Sequence, residues 1–233
     1  MSEETVTLKP RSDLGVRTLS GIVMMLVAAG AIWVGGWPFR IFIAAISVGL
    51  LREWLRLSWQ ISDSSGGRAK WTLLGIAYIG TASALMLFLR ETGTTYVLLA
   101  LIGVVIATDT GAYFAGRAIG GPKIAPTISP SKTWAGLVGG MLASAILLGI
   151  IGAYLNILSV AQPLIGAVLA VVAQAGDFFE SWMKRRAGVK DSGALLPGHG
   201  GLFDRADGLI AVLVAAAIVF GITNLIFTYL IKI

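Results

Sequence analysis

The chain has no cysteine and a single histidine, His199. The first absence removes disulfides, thiolate metal sites and a thiol nucleophile, and leaves the redox compartment undetermined. One imidazole is weak support for a metal centre, so His199 reads as a loop hydrogen-bonder rather than a zinc ligand. Charge is scarce as well. Only 13% of the 233 residues are Asp, Glu, Lys or Arg, while 56% are hydrophobic and the mean hydropathy is +0.84; soluble domains carry roughly a quarter charged residues. No GxxxxGK[ST] motif occurs, which excludes a P-loop protein. No stretch between the apolar runs is long enough to form a separate soluble domain.

What the chain does contain is hydrocarbon. Crossing roughly 30 Å of bilayer takes about 17 to 25 apolar residues, and seven runs qualify: about 18–36, 38–57, 71–89, 95–116, 134–156, 161–183 and 208–231. The expected fold class is all-α, a polytopic transmembrane helical bundle of about seven spans. The basic N-terminus (Lys9, Arg11, Arg17) before LSGIVMMLVAAGAIW also fits a signal peptide, but the run exceeds a usual h-region and reads as a first span. The net charge of +6 points to topology rather than to nucleic acid. With seven spans, 15 of the 18 Lys and Arg fall on one side, against Arg40, Arg90 and Lys232 on the other. The positive-inside rule then makes the rich side cytoplasmic.

Against this background one loop, KRRAGVKDSGALLPGHGGLFDRADG from Lys184 to Gly208, gathers five basic residues, three aspartates and His199. Asp109 lies near the cytoplasmic end of the fourth run, Asp177 and Glu180 at that end of the sixth, and Asp204 and Asp207 open the seventh. Five acids therefore share one depth, and an ionisable group at a span is read first as a site. Helical spacing puts Asp177, Glu180 and Ser181 on one face, and Asp109 and Tyr113 on another. Two plainer readings stand beside this one. Asp204 or Asp207 caps the seventh helix, or the acids form a structural network with Lys132, Lys184, Arg185 and Lys190. A cap does not account for Asp109 and Asp177, which sit where the helix dipole disfavours an acid. Carboxylates converging from separate helices form the oxygen-rich setting of Mg²⁺, and magnesium beside Lys and Arg marks a phosphate site. Gly198, Gly200 and Gly201 allow backbone N–H groups to line a phosphate ahead of the seventh helix; a flexible turn fits them equally. The fourth loop, GRAIGGPKIAPTISPSKTWAG, adds a polar run from Ser129 to Thr133.

These residues resemble the phosphatidate cytidylyltransferases, or CDP-diacylglycerol synthases. The signature runs Ser181, Lys184-Arg185, Lys190-Asp191, Gly193, His199-Gly200-Gly201 and Asp204-Arg205-Ala206-Asp207, over 27 residues. Two further segments precede it in order: DTGAYFAGRAIGGPKIAPTISPSKTWAG from Asp109 to Gly136, and QAGDFFESWMKR from Gln174. The resemblance covers most of the C-terminal half. Residues 1–100 match only as hydrophobic N-terminal helices, leaving 101–233 as the catalytic region of one integrated membrane domain. Two positions depart from the pattern: Ala206 replaces a larger apolar residue or threonine, and Ala135 replaces a glutamate, whose role is therefore not carried over.

The resemblance implies transfer of the cytidylyl group of CTP to phosphatidic acid, giving CDP-diacylglycerol and pyrophosphate for phospholipid biosynthesis. It implies a paired-cation centre on Asp177 and Asp204, with Mg²⁺ and a second divalent or monovalent ion, and a catalytic part for Lys184 and Asp207. Asp109, Asp207 and Glu180 stand as supporting or alternative ligands. Substrate contacts fall to Lys132, Ser129, Arg185, Lys190, His199, Gly200, Gly201, Arg205 and Asp109. The partners implied are CTP, phosphatidic acid and membrane lipid, with no nucleic acid; a homodimer is admitted. The location implied is a bacterial inner membrane, with the site facing the cytoplasm. A cation transporter or channel built on Asp109, Asp177 and Asp204 is the rival class, yet the outer halves of these runs are plain hydrocarbon and offer no onward path. A lipid-phosphate hydrolase or lipid kinase shares magnesium and phosphate but not the signature.

Overall fold

A computed structural model describes residues 12–195 and 200–230. Seven α-helices follow one another: α1 (Ser12–Val34), α2 (Gly36–Ile61), α3 (Ser65–Glu91), α4 (Thr95–Ala118), α5 (Trp134–Tyr154), α6 (Ala161–Arg186) and α7 (Phe203–Leu230). They coincide with the seven expected runs and extend beyond them mainly at polar ends. Polar side chains set two of the starts. The Ser64 hydroxyl accepts the Gly67 N–H at 3.0 Å ahead of α3, and the Thr133 hydroxyl accepts that of Gly136 at 3.0 Å ahead of α5, satisfying N–H groups that lack a helical partner. Among the described residues five helical stretches are long and apolar enough to cross a membrane: α3, α4, α5, α6 and Phe203–Thr223 of α7. The Thr18–Val34 part of α1 is a shorter apolar helix, and α2, which carries Arg40, Arg52, Glu53 and Arg56, is outside the five.

The all-α class holds with one correction. Part of the fourth loop is a two-stranded antiparallel ribbon, β1 (Lys123–Ala125) and β2 (Ser129–Thr133), with Lys123 opposite Thr133 and Ala125 opposite Ser129. The turn between them closes through the Ile128 N–H on the Ala125 carbonyl at 3.1 Å. Such a ribbon is marginal alone; here β2 runs directly into α5, which anchors it.

Small residues let the C-terminal helices approach closely, the device that replaces hydrophobic pressure between helices in lipid. A Cβ on Gly139 of α5 would overlap the Cβ of Ala115 on α4. Farther along the same pair of helices, the buried Thr108 and Ser144 hydroxyls lie 2.8 Å apart, and both reach the Val104 carbonyl, at 2.8 and 3.0 Å. At one end of the bundle α2, α3, α6 and α7 close around fully buried Trp54. Its ring lies 5.7 to 5.8 Å from those of Tyr78, Phe179 and Phe203, and its Nε1–H donates to the Trp71 carbonyl at 2.8 Å. At the other end Arg40 pairs with Glu91 at 2.6 Å, and Arg90 donates to the Ile32 carbonyl at 2.6 Å. The two arginines that sequence puts on the sparsely charged side thus share one end of the molecule.

Candidate active site

Helices α6 and α7 run antiparallel, so a step of three residues forward on one matches a step of three back on the other. Asp177 and Glu180 on α6 therefore meet Asp207 and Asp204 on α7 as two rungs. The Asp177 and Asp207 carboxyls lie within hydrogen-bonding reach, as do those of Glu180 and Asp204. Gly176 makes this approach feasible: a Cβ there would stand 2.7 Å from the Asp207 carbonyl oxygen. Asp109 of α4 is a charged neighbour of Asp177. The five acids form a continuous row across three helices.

Two lysines reach that row. Lys132 of β2 is ion-paired with Asp177 and lies 4.8 Å over the Phe178 ring. Lys184 bridges the second rung, 2.6 Å from Glu180 Oε2 and 2.6 Å from Asp204 Oδ1. Acids outnumber these two cations, and Glu180 Oε1 is buried without a hydrogen-bond partner. Uncompensated buried charge is costly, so the row has room for further positive charge.

Asp204 is also the organiser of its own loop. Its Oδ2 accepts the Ser192 N–H at 2.9 Å, the Ser192 hydroxyl at 2.9 Å and the Gly201 N–H at 2.8 Å. Gly200, at φ +82°, takes the left-handed conformation that turns the chain back here.

The row lies between two cavities on opposite faces of α6. One is a polar cleft of about 410 Å³, lined by Asp109, Arg117, Lys132, Thr133, Gln174 and Asp177 among others. The other, of about 450 Å³, is apolar and lined by Trp54, Tyr78, Val172, Phe179, Ala211 and Ile218 with their neighbours. Gly176 borders the apolar cavity and Asp177 the cleft, so a single helical step separates water-loving from lipid-loving space.

Among the described residues, the others expected at the site lie on the ribbon, at the end of α6, in the loop before α7 and at the start of α7. Ser129 begins β2 and is buried. The exposed Arg185 directs Nε toward the Ile128 carbonyl at 3.4 Å, linking α6 to the ribbon. Lys190 and Arg205 are exposed, and Lys190 joins neither rung. His199 lies outside the described residues. Asp177 and Asp204 belong to the same row but to different rungs, each with another acid as its nearest carboxyl partner.

A hard divalent cation binds through one or two carboxylates and completes its shell with water and phosphate oxygens. The Asp177–Asp207 contact offers such a pair, since two carboxyls in contact call for a proton or a cation between them. Among the described residues no three acidic or histidine side chains are arranged as a full metal cage. The donor set thus fits a cation whose shell is completed by substrate.

Sequence reasoning missed four contributors: Thr133 and the buried Gln174 at the cleft, fully buried Ser192, and Glu53 of α2. Glu53 accepts the Leu202 N–H at 3.0 Å, the Phe203 N–H at 2.8 Å and the Ser192 hydroxyl at 3.0 Å. Its signal was an acid inside an apolar helix, the same one that exposed Asp109.

The profile of the cytidylyltransferase family matches residues 59–223. A phosphatidate cytidylyltransferase of Brucella suis is 36% identical, the alignment covering 90% of this chain and 93% of that protein. Relatives of the same name from Rickettsia conorii and Staphylococcus saprophyticus are 32% and 37% identical, covering 89% and 85% of this chain and 91% and 75% of those proteins. The family match spans more than half of the sequence and includes every acid of the row, and with these relatives it establishes that the chain belongs to the cytidylyltransferase family.

Proposed function

We propose that this protein is a phosphatidate cytidylyltransferase, transferring the cytidylyl group of CTP to phosphatidic acid to give CDP-diacylglycerol and pyrophosphate. The observation that carries the reading is the row of acids and lysines lying between a polar cleft and an apolar cavity. One reactant is a water-soluble polyanion, and the other is a polyanion attached to hydrocarbon. The cleft suits the first and the apolar cavity the acyl chains of the second, so their phosphates meet at α6.

In the proposed reaction a phosphate oxygen of the lipid forms a bond to the α-phosphorus of CTP. The bond from that phosphorus to the bridging oxygen breaks in line, and pyrophosphate leaves with the bonding pair. No covalent enzyme intermediate is required, and the protein acts through positioning and charge. Lys132, which lines the cleft, has its ammonium over the aromatic ring of Phe178 and is placed to exchange its contact with Asp177 for a phosphate. Lys184 stands between two acids and can compensate charge that develops on either side of it. Arg185, with a planar fork, suits a bidentate phosphate contact, and Lys190, Arg205, Ser129, His199, Gly200 and Gly201 complete the proposed contacts. Asp177 and Asp204 are the proposed magnesium ligands, with Asp207, Glu180 and Asp109 in support. Bound there, magnesium supplies charge neutralisation on the phosphates. A second, divalent or monovalent, cation is part of the proposal, as is a homodimer.

The reading includes seven spans in a bacterial inner membrane with the site at the cytoplasmic face. Its support is the 15-to-3 partition of basic residues in the sequence and the supply of CTP from that side. The deciding experiment incubates purified protein with CTP labelled at the α-phosphate, phosphatidic acid and Mg²⁺, then extracts into chloroform. Lipid-soluble label that depends on both substrates supports the reading; its absence overturns it.

A further inference from the structure

Glu53 stands apart from the acids of the row. It is 5% exposed, it comes from α2, and its three donors are neutral: two backbone N–H groups and one hydroxyl. The loop closes tightly around it. A Cβ on Gly201 would stand 2.6 Å from Glu53 Oε2, and one on Gly193 would stand 2.7 Å from Glu53 Cδ. Larger residues at either position would push the carboxylate out.

The Ser192 hydroxyl lies 3.0 Å from Glu53 Oε2 and 2.9 Å from Asp204 Oδ2. A hydroxyl has one proton to donate, so the two carboxylates compete for it. Glu53 meanwhile holds the Leu202 and Phe203 N–H groups, which begin the helix that carries Asp204 and Asp207. A cap alone would need only those two bonds. The third contact connects Glu53 to an acid of the row without touching any reacting group.

We propose that Glu53 is a positioning residue for cytidylyl transfer. Through Ser192 and the first turn of α7 it fixes where the Asp204 carboxylate stands and how much of its hydrogen-bonding capacity remains for a cation. This rests on the reading of Asp204 as a magnesium ligand in the proposed reaction. Outer hydrogen-bond partners of metal ligands typically change metal affinity or activity about 10- to 100-fold when removed, which sets the scale of the test.

The experiment uses the full chain purified in detergent, as wild type, Glu53→Gln, Ser192→Ala and the double variant. Two quantities are read: kcat and KM for phosphatidic acid from lipid-soluble label, and the midpoint of a Mg²⁺ titration followed as thermal stabilisation at fixed CTP. Expected for each single variant is a kcat lower by about tenfold or more and a Mg²⁺ midpoint displaced by about tenfold, with KM for the lipid within about twofold of wild type. The double variant should match the more impaired single within about twofold, because both changes act through one contact. If Glu53 is only a cap, Glu53→Gln lowers the melting temperature, leaves kcat and the Mg²⁺ midpoint at wild-type values and adds to Ser192→Ala. That pattern overturns the proposal. Should Glu53→Gln fail to fold, Ser192→Ala decides, since it leaves both backbone bonds of Glu53 in place; wild-type kcat and midpoint there overturn the proposal equally. An inactive wild type would instead remove the transfer reading itself, whereas an active wild type with unaltered variants removes the role of Glu53 alone.

Discussion

Lys184→Ala would remove the ammonium that bridges Glu180 and Asp204, each 2.6 Å away. Side-chain exposure is 14% for Lys184, 1% for Glu180 and 11% for Asp204, so solvent screens these contacts little. Taking one partner from a buried pair costs about 3 to 5 kcal/mol, because the other charge stays behind. Two charge-assisted hydrogen bonds at about 1.5 to 3 kcal/mol each give a similar figure. The loss falls unevenly. Asp204 keeps three donors on Oδ2, whereas Glu180 already has an unpartnered Oε1 and, beside the Asp204 carboxyl, would have to take up a proton to stay buried. Glu180→Gln in the Lys184→Ala background should therefore recover part of the loss, because a buried amide needs no such proton. The measurement is unfolding free energy in mixed dodecyl maltoside and SDS micelles. A Lys184→Ala loss below about 1 kcal/mol, the value of an exposed pair, would refute the reasoning, and so would a double variant less stable than the single.

Asp177→Asn and Asp204→Asn should each reduce purified activity more than about tenfold, or about 1.4 kcal/mol in barrier, while EDTA abolishes activity and Mg²⁺ restores it; a tenth or more of wild-type turnover in either variant counts against the ligand assignment. Arg185→Lys retains the charge but loses the planar fork, so kcat/KM should fall by about one to two orders of magnitude, as expected for a charge-assisted bond worth about 1.5 to 3 kcal/mol; unchanged lipid-dependent CTP turnover would remove Arg185 from the site. Cysteines introduced at Lys123 and Ala187 of this cysteine-free chain should react with an impermeant thiol reagent only after lysis. Labelling in intact cells would reverse the proposed orientation.

The seven helices were legible because each is written as a long, predominantly apolar run with its few charges near the ends, and the common depth of the acids followed from where those runs end. The β1–β2 ribbon was not legible. Its strands are three and five residues long, the second interrupted by Pro130, too short for any period to show. The membership of the acid row could be read, but its pairing could not. Asp177 meets Asp207 and Glu180 meets Asp204 because α6 and α7 are antiparallel at one particular register, and that register is set by Gly176 lying against the Asp207 backbone. Glu53 shows the limit most clearly. The acid is conspicuous in REWLRL, yet Ser192, Leu202 and Phe203 lie 139 to 150 residues away, and no local pattern links them.

That separation has a consequence in time. Glu53 is synthesised 150 residues before Phe203, and at about 5 to 20 residues per second its donors emerge about 8 to 30 s later. Throughout that interval the nascent α2 carries an acid whose native donors have not all been made. Water at the polar end of α2 must solvate it until α7 is made. The membrane-crossing helices α3 to α6 can enter the bilayer in order, but this polar end cannot close until the final helix arrives, so a ribosome stalled before Leu202 would leave a chain inserted yet open at the place where the acids belong.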